Sequence, residues 1–378
     1  MLIIDGDYPM AVGAMDLNRN LTLPIEEVRR TKPDHFTEIN KMAALRPKKR
    51  RLDAETMASL PEMRHGGIAA ALVKVVARHY RAGSPLWGYR GPEMTYAAAQ
   101  AQLVYYETLD VRGQASIMRN RSELSNHIQL WSTATDSHSL PVGLILGMEG
   151  ADPILQVDQV HQWWDRGLRV MSLSHYGMST YCHGTGTGIS GGLLPPAKAL
   201  LQKMESVGMI LDVTHASDTS VREALELFGG PVLASHQNCR ALVPGERQFP
   251  DDQLIAVIKR GGVIGASMDT WMLYRPGLDW SSPIPTRRSV FPREAITLND
   301  YVDHIDHICQ LAGNSNHAAI GGDTDGQGGR EGAPAGIDTV ADYQKVATVL
   351  DERGYSSEDI SNVMYRNWQR FFEASFPD

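Results

Sequence analysis

Short apolar runs punctuate the chain at intervals long enough to hold a helix. Eight stand out: Leu2–Asp5, Gly67–Val76, Val142–Met148, Leu168–Ser174, Met209–Thr214, Pro231–Ser235, Gly262–Met268 and His317–Gly322. They are rich in Val, Ile, Leu, Ala and Met and lack clean alternation of apolar and polar positions, as strands buried on both faces do. Several of the intervals carry helix start and stop signals. Asp152–Arg166 stops at Gly167, and Pro195–Val207 opens on prolines and stops at Gly208. Ser217–Phe228 starts on a Ser-Asp cap and runs out at Gly229-Gly230, while Pro250–Arg260 opens on an acidic pair suited to the helix dipole. Thr297–Ala312 and Asp338–Arg353 follow the same scheme. Strand–helix alternation repeated in this way predicts an α/β protein, a (β/α)8 TIM barrel occupying residues 1–378 as one domain.

Three segments depart from the repeat. Residues 6–66 are too long for one βα unit, which predicts extra helical segments near the N-terminus. Their basic run Lys48-Lys49-Arg50-Arg51 reads as a solvated helix or loop face. Residues 80–141 predict further helices at Tyr96–Leu109 and Ser116–Trp131, and a helix is expected at the C-terminal end. Residues 269–296, with Pro, Trp and Arg, predict a long loop over the barrel mouth.

The residues that follow the runs carry the chemistry. Leu2–Ile4 leads into Asp5-Gly6-Asp7, and the later runs lead into Glu149, His175, His215, His236 and the Asp323/Asp325 pair. In a barrel all of these positions face one mouth, at the carboxyl ends of the strands. Any one of them alone reads as a hydrogen-bonded core residue. Six ionisable positions at the same point of six strands read as a site, because unpaired buried charge is costly. Imidazoles and carboxylates together suit zinc, with nickel, manganese or iron as alternatives. Two histidines from adjacent strands and one carboxylate leave a fourth position for a water, whose pKa then falls to about 7. An acid at the end of the last strand could carry protons between that water and a leaving amine.

Composition narrows the classes. Lys and Arg total 36 against 44 Asp and Glu, a net charge of −8, which argues against a phosphate-backbone binder. Three scattered cysteines make neither a disulfide framework nor a zinc module. The N-terminal MLIIDGDYPM lacks a basic region followed by a long apolar stretch, and no window holds 18 uninterrupted apolar residues. The expectation is a cytoplasmic protein with no signal peptide and no membrane or nucleic-acid partner. Gly186-Thr-Gly188-Ile-Ser-Gly191 fits the dinucleotide fingerprint GxGxxG, but ten residues separate it from the preceding run, so it reads as a loop.

Ordered stretches also resemble the membrane (renal) dipeptidase family of zinc metallopeptidases. They are EMRHGGIAAALV at 62–73, GMEG at 147–150, SLSH at 172–175, the segment 191–217 ending DVTHAS, PVLASHQNCRAL at 231–242, ERQFPDDQL at 246–254, GGDTDG at 321–326 and 353–372. The resemblance implies an amidohydrolase-type barrel that cleaves a dipeptide or related small amide with a free carboxylate. It implies that Glu149 bridges two zinc ions and that His215 and His236 bind the second. His175 would contact the substrate carbonyl, Arg247 the terminal carboxylate, and Asp323 would carry the proton to the leaving amine. It further implies a homodimer.

One departure stands out. The family's first strand ends in a His-x-Asp pair; here Asp7 takes the histidine place and Pro9 the aspartate place. Proline cannot ligate, so one well-held metal ion is expected, with Asp7 as a residual ligand and the second ion weak or absent. The rival expectation is a barrel without efficient hydrolysis that binds a modified peptide-like molecule.

Overall fold

Each of the eight apolar runs carries a strand in the computed structural model, which describes residues 1–30, 55–84, 86–279, 287–325 and 329–378. The basic run at 48–51 lies outside the described residues. The strands are β1 (Ile3–Tyr8), β2 (Ile68–Val75), β3 (Ala115–Ile117), β4 (Val142–Met148), β5 (Leu168–Ser172), β6 (Ile210–Asp212), β7 (Val232–Leu233), β8 (Ile264–Ala266) and β9 (Ala318–Ile320). The main sheet is parallel, in the order β1-β2-β4-β5-β6-β7, with β3 added alongside β4; β8 and β9 form a second parallel pair. A parallel bridge from Ala234 to Ile264 links β7 to β8. The Asp323 N–H donates to the Asp7 carbonyl at 3.1 Å, bringing the chain after β9 back to β1. The result is a curled parallel α/β sheet.

Burial on both faces explains the missing alternation in the apolar runs. Ile4, Leu72, Ile145, Val170, Ile210, Leu233, Val263 and Ala319 form one buried cluster with Trp368, Phe371 and Phe372. Their strand neighbours Ile3, Val73, Leu144, Met171, Leu211, Val232, Ile264 and Ile320 pack in the other, larger cluster with the helices. Two residues further along five strands, the positions in register with the first set read Lys74, Gly147, Ser172, Asp212 and Ser235. The interior therefore passes from an apolar layer to a small and polar one within a single strand step. Glycine makes the narrow part possible: a Cβ at Gly6, Gly265 or Gly321 would stand 2.6 Å or less from the Ser235 carbonyl oxygen.

Most helix boundaries follow their signals. Ala197–Val207 stops at Gly208, which takes φ 83°, and Leu298–Ala312 stops at Gly313, φ 71°. Ser217 caps Asp218–Leu227 by accepting the Ser220 N–H at 3.2 Å. Three expectations are corrected. The interval Asp152–Arg166 holds only a short 3-10 turn and the helix Val160–Asp165. Its start is taken up because the Asp152 carboxylate accepts from the backbone of His79 and Thr180 and pairs with Arg81. The interval 116–131 begins as β3, because Ala115–Ile117 pairs with Val142–Leu144. Its helix starts at Arg121, where Asn120 accepts the Glu123 N–H at 2.8 Å. The interval 338–353 splits into a 3-10 segment, Val340–Gln344, and the helix Lys345–Glu352.

Extra helical segments near the N-terminus are present at Ile25–Arg30 and Leu60–His65. The C-terminal helix Asn367–Ser375 closes the apolar end of the sheet: the Trp368 indole donates to the Ile320 carbonyl at 2.8 Å and stacks on Phe372. At the opposite end, the described part of 269–296 makes 3-10 turns, with Asp269 and Arg287 paired in a buried ion bridge. No helix among the described residues is long and apolar enough to cross a membrane.

Candidate metal centre and active site

Local backbone features place the polar side chains. In β1 the register slips between Asp5, opposite Ala71, and Tyr8, opposite Val73, so three residues span what two span in β2. Such a bulge re-aims side chains, and it carries Asp7 into contact with the interior polar groups. Glu149 follows β4 directly, its N–H donating to the Val75 carbonyl at 2.9 Å. His215 (φ 69°) and Asp323 (φ 59°) sit in the left-handed region, as does Tyr176 (φ 45°) beside His175. Among the described residues only one other non-glycine, Asn18, does so. Strained backbone of this kind persists where surrounding structure over-determines it and concentrates at functional sites.

The side chains converge. His215 Nε2 lies 2.9 Å from His236 Nε2 and 3.2 Å from Glu149 Oε1, and His236 Nε2 lies 3.5 Å from the same oxygen. His175 Nε2 is 3.8 Å from Glu149 Oε2, and its ring meets that of His215 edge-on at 4.6 Å. Asp7 Oδ1 is 3.2 Å from His236 Nδ1. Glu149 thus belongs to further groupings able to hold an ion, one with His175 and His215 and one with Asp7 and His236. Donors about 2.0–2.2 Å from a tetrahedral ion stand roughly 3.3–3.6 Å apart; Glu149–His236 falls in that range, Glu149–His215 just below it, and the two imidazole nitrogens would have to part slightly to admit an ion. His215, His236, Glu149 and Asp7 are all buried, while His175 is partly exposed.

The electrostatics separate the residues by role. Burial alone would raise Glu149, but His175 when protonated, and His236, Lys74 and Arg247, pull its carboxyl below the usual range, so it stays ionised. Burial holds His175 and His215 well below the usual imidazole range, leaving both neutral. Burial opposes charge on His236 as well, yet Asp7, Asp323 and Glu149 outweigh it and its pKa rises. Asp323 is pushed up to about 8, first by burial and, against the pull of His236, by the negative charges of Asp7, Asp269 and Glu149.

Arg247 is fully buried. Its Nε donates to the Tyr176 hydroxyl at 3.2 Å, Nη1 to Gln237 Oε1 at 2.8 Å and Nη2 to the His236 carbonyl at 3.1 Å. The guanidinium is closed off from solvent in this conformation, so a substrate carboxylate reaches it only if Tyr176 gives way. Asp325 serves a different end. Its carboxylate accepts from Thr56 Oγ1 and the backbone N–H groups of Met57 and Ala58, tying the N-terminal segment over the mouth. The GxGxxG stretch is a loop whose Gly186 and Gly188 N–H groups donate to the Glu246 carboxylate, filling with protein the place a phosphate would need.

Several participants escaped the sequence reading. Lys74 is completely buried and hydrogen-bonds to Asp212 Oδ2 at 2.7 Å and Ser235 Oγ at 3.1 Å. Ser235 Oγ also lies 2.9 Å from His236 Nδ1. Arg78 hydrogen-bonds to His175 Nδ1. The signal for Lys74 was present: it is the single charge in the run Gly67–Val76. Tyr176 and Asp269 carry no such mark, because loop geometry positions them.

A model of the membrane dipeptidase family, peptidase family M19, matches residues 31–375. The chain belongs to that family. The match leaves β1, with Asp7, outside its span. An uncharacterized dipeptidase of Schizosaccharomyces pombe is 27% identical over 237 residues, covering 62% of this chain and 53% of the relative. Dipeptidase 3 of Rattus norvegicus is 26% identical over 269 residues, covering 68% and 50%. This M19 chain thus spans about half the length of the curated relatives it matches. Among solved structures, a metallopeptidase from Rhodobacter sphaeroides, bound to a phosphinate mimic of the dipeptide L-Ala-D-Ala, superimposes with a TM-score of 0.75. That likeness covers 100% of this chain and 99% of the other at 19% identity, and it speaks for the shared fold.

Proposed function

We propose that the curled sheet closes as a (β/α)8 barrel and that its polar end is a zinc-dependent dipeptidase site, cleaving the amide of a dipeptide or similar small molecule with a free carboxylate. The observation that carries this reading is the convergence of Glu149 Oε1, His215 Nε2 and His236 Nε2 within 3.5 Å of one another. Those three residues would hold the ion. When bound, it would act as a Lewis acid and make water nucleophilic at neutral pH.

The chain's own residues supply the rest. A neutral His175, oriented through Nδ1 by Arg78, presents Nε2 to the substrate carbonyl oxygen as charge develops there. Asp323 is the proton carrier: the charge of a bound ion would offset the burial and the neighbouring carboxylates that raise its pKa, leaving a carboxylate to take a proton from the attacking water and pass it to the leaving nitrogen. Arg247 provides positive charge for the substrate carboxylate once Tyr176 has moved. A cleft of about 350 Å³ lined by Thr185, Gly188, Ser217, Glu246 and Asp279 has room for a substrate side chain. It adjoins His215, whose carbonyl accepts the Thr185 N–H at 2.8 Å.

Protein dialysed against dilute zinc is expected to hydrolyse members of a dipeptide panel, to lose activity on chelation and to regain it with zinc. His215→Ala should lose the ion. Bound metal with no hydrolysis of any panel member would overturn this reading in favour of a barrel that binds a modified peptide-like molecule.

A further inference from the structure

A cationic group already stands beside Asp7, the carboxylate that could hold an ion together with Glu149 and His236. Lys74 points inward from β2, one strand step above Leu72, and the absence of a side chain at Gly147 leaves room for its stem. A Cβ there would stand 3.2 Å from the lysine Cδ. Its ammonium donates to Asp212 Oδ2 and Ser235 Oγ and lies 3.3 Å from Asp7 Oδ1. Asp7 in turn is 3.2 Å from His236 Nδ1, the ring nitrogen opposite the one that faces Glu149 and His215. Asp7, Glu149 and His236 form a grouping that could itself hold an ion. A divalent ion bound to Asp7 Oδ1 would lie within roughly 5.5 Å of the ammonium, and two such charges repel.

We propose that the Lys74 ammonium takes the place of a second metal ion beside Glu149, so that this chain is built around one ion, with Lys74 as a positioning residue. This inference rests on the metal reading above. Lys74 holds Asp7 by charge and Ser235 by a hydrogen bond, and Ser235 Oγ, the hydrogen-bond partner of His236 Nδ1, together with the nearby Asp7 carboxylate keeps that ring turned so that Nε2 faces the site. The bulge in β1 and the buried lysine are thus two parts of one arrangement.

Metal content and heat stability test the proposal without any assay of activity. Elemental analysis of the wild-type protein after zinc dialysis is expected to give about one ion per chain. Lys74→Ala is expected to give about two, and zinc should raise its Tm by more than it raises that of the wild type. Two ions in the wild type would overturn the proposal, as would a folded Lys74→Ala protein that still binds one. If the variant fails to fold, anomalous scattering from zinc-soaked wild-type crystals decides. One peak at Glu149, His215 and His236 supports the proposal; a second peak beside Asp7 defeats it. One ion without dipeptide hydrolysis would remove the functional reading and leave this inference standing. Two ions with hydrolysis would do the reverse.

Discussion

The two sides of Glu149 offer a cation different surroundings. Towards His215 and His236 lie two imidazoles whose Nε2 atoms converge on a carboxylate oxygen, groups that can all serve as donors to an ion. Towards Asp7 lies a carboxylate already paired with a buried lysine that is also bonded to Asp212. The first side is a set of converging donors; the second is a salt bridge made within the chain. The family match covers Glu149, His215 and His236 as well as Lys74 and Asp212, and begins after β1, so Asp7 is the member of the second side that lies outside it. A buried ammonium and a bound cation are two ways of compensating buried carboxylates.

The contrast can be broken from several directions. The largest effect is expected for Asp323→Asn, which keeps the shape of the site but removes the proton carrier. kcat should fall about 10²- to 10⁴-fold, with metal content unchanged by elemental analysis; loss of the ion instead would make Asp323 a ligand. Lys74→Met, studied in chelator by urea denaturation, should lose about 3–5 kcal/mol, because Asp7 and Asp212 are left buried without their partner. Asp7→Asn should weaken zinc binding by about 10- to 100-fold in competition titrations, since His236 Nδ1 loses its carboxylate.

The last effect is a slope with pH, smallest when taken over a single pH unit. Asp323 binds its proton more tightly in the folded chain than in the unfolded one. Its stabilising contribution is therefore full below about pH 4 and is lost as pH rises towards 8. In metal-free protein the stability of the wild type relative to Asp323→Asn should fall by at most about 1.4 kcal/mol per pH unit across that window. Denaturation series at pH 5, 6, 7 and 8 would show it, and a difference that grows with pH would reverse the assignment. Glu149, held below the usual carboxylate range, stays ionised throughout that window and contributes no slope.

Much of this was legible in the residues. Gly208, Gly313 and Ser217 marked helix ends correctly because backbone caps are local physics, decided by one or two residues. The apolar runs located the strands, and the ionisable residues after them are ones the structure brings together. What failed was decided at longer range. Asp152 looked like the start of a helix, yet its carboxylate is spent on His79, Arg81 and Thr180. Ser116 looked helical until β4 offered a strand to pair with. Lys74 was read past as part of an apolar run, because its partners Asp212 and Ser235 come 138 and 161 positions later. Arg247 was placed by resemblance, and nothing in its neighbours along the chain foretold that Tyr176 covers it.

The glycine in β1 has a consequence for how the protein is made. Gly6 sits against the Ser235 and Ile320 carbonyls and the Trp368 ring, all supplied by residues synthesised long after it. At bacterial or eukaryotic elongation speeds of about 5–20 residues per second, roughly 20–70 s separate the appearance of β1 from that of Trp368. Throughout that interval β1 can dock on β2 alone, with its other edge unpaired and open to mispairing. The strand that carries Asp7 therefore leaves the ribosome well before the residues that lock it in place.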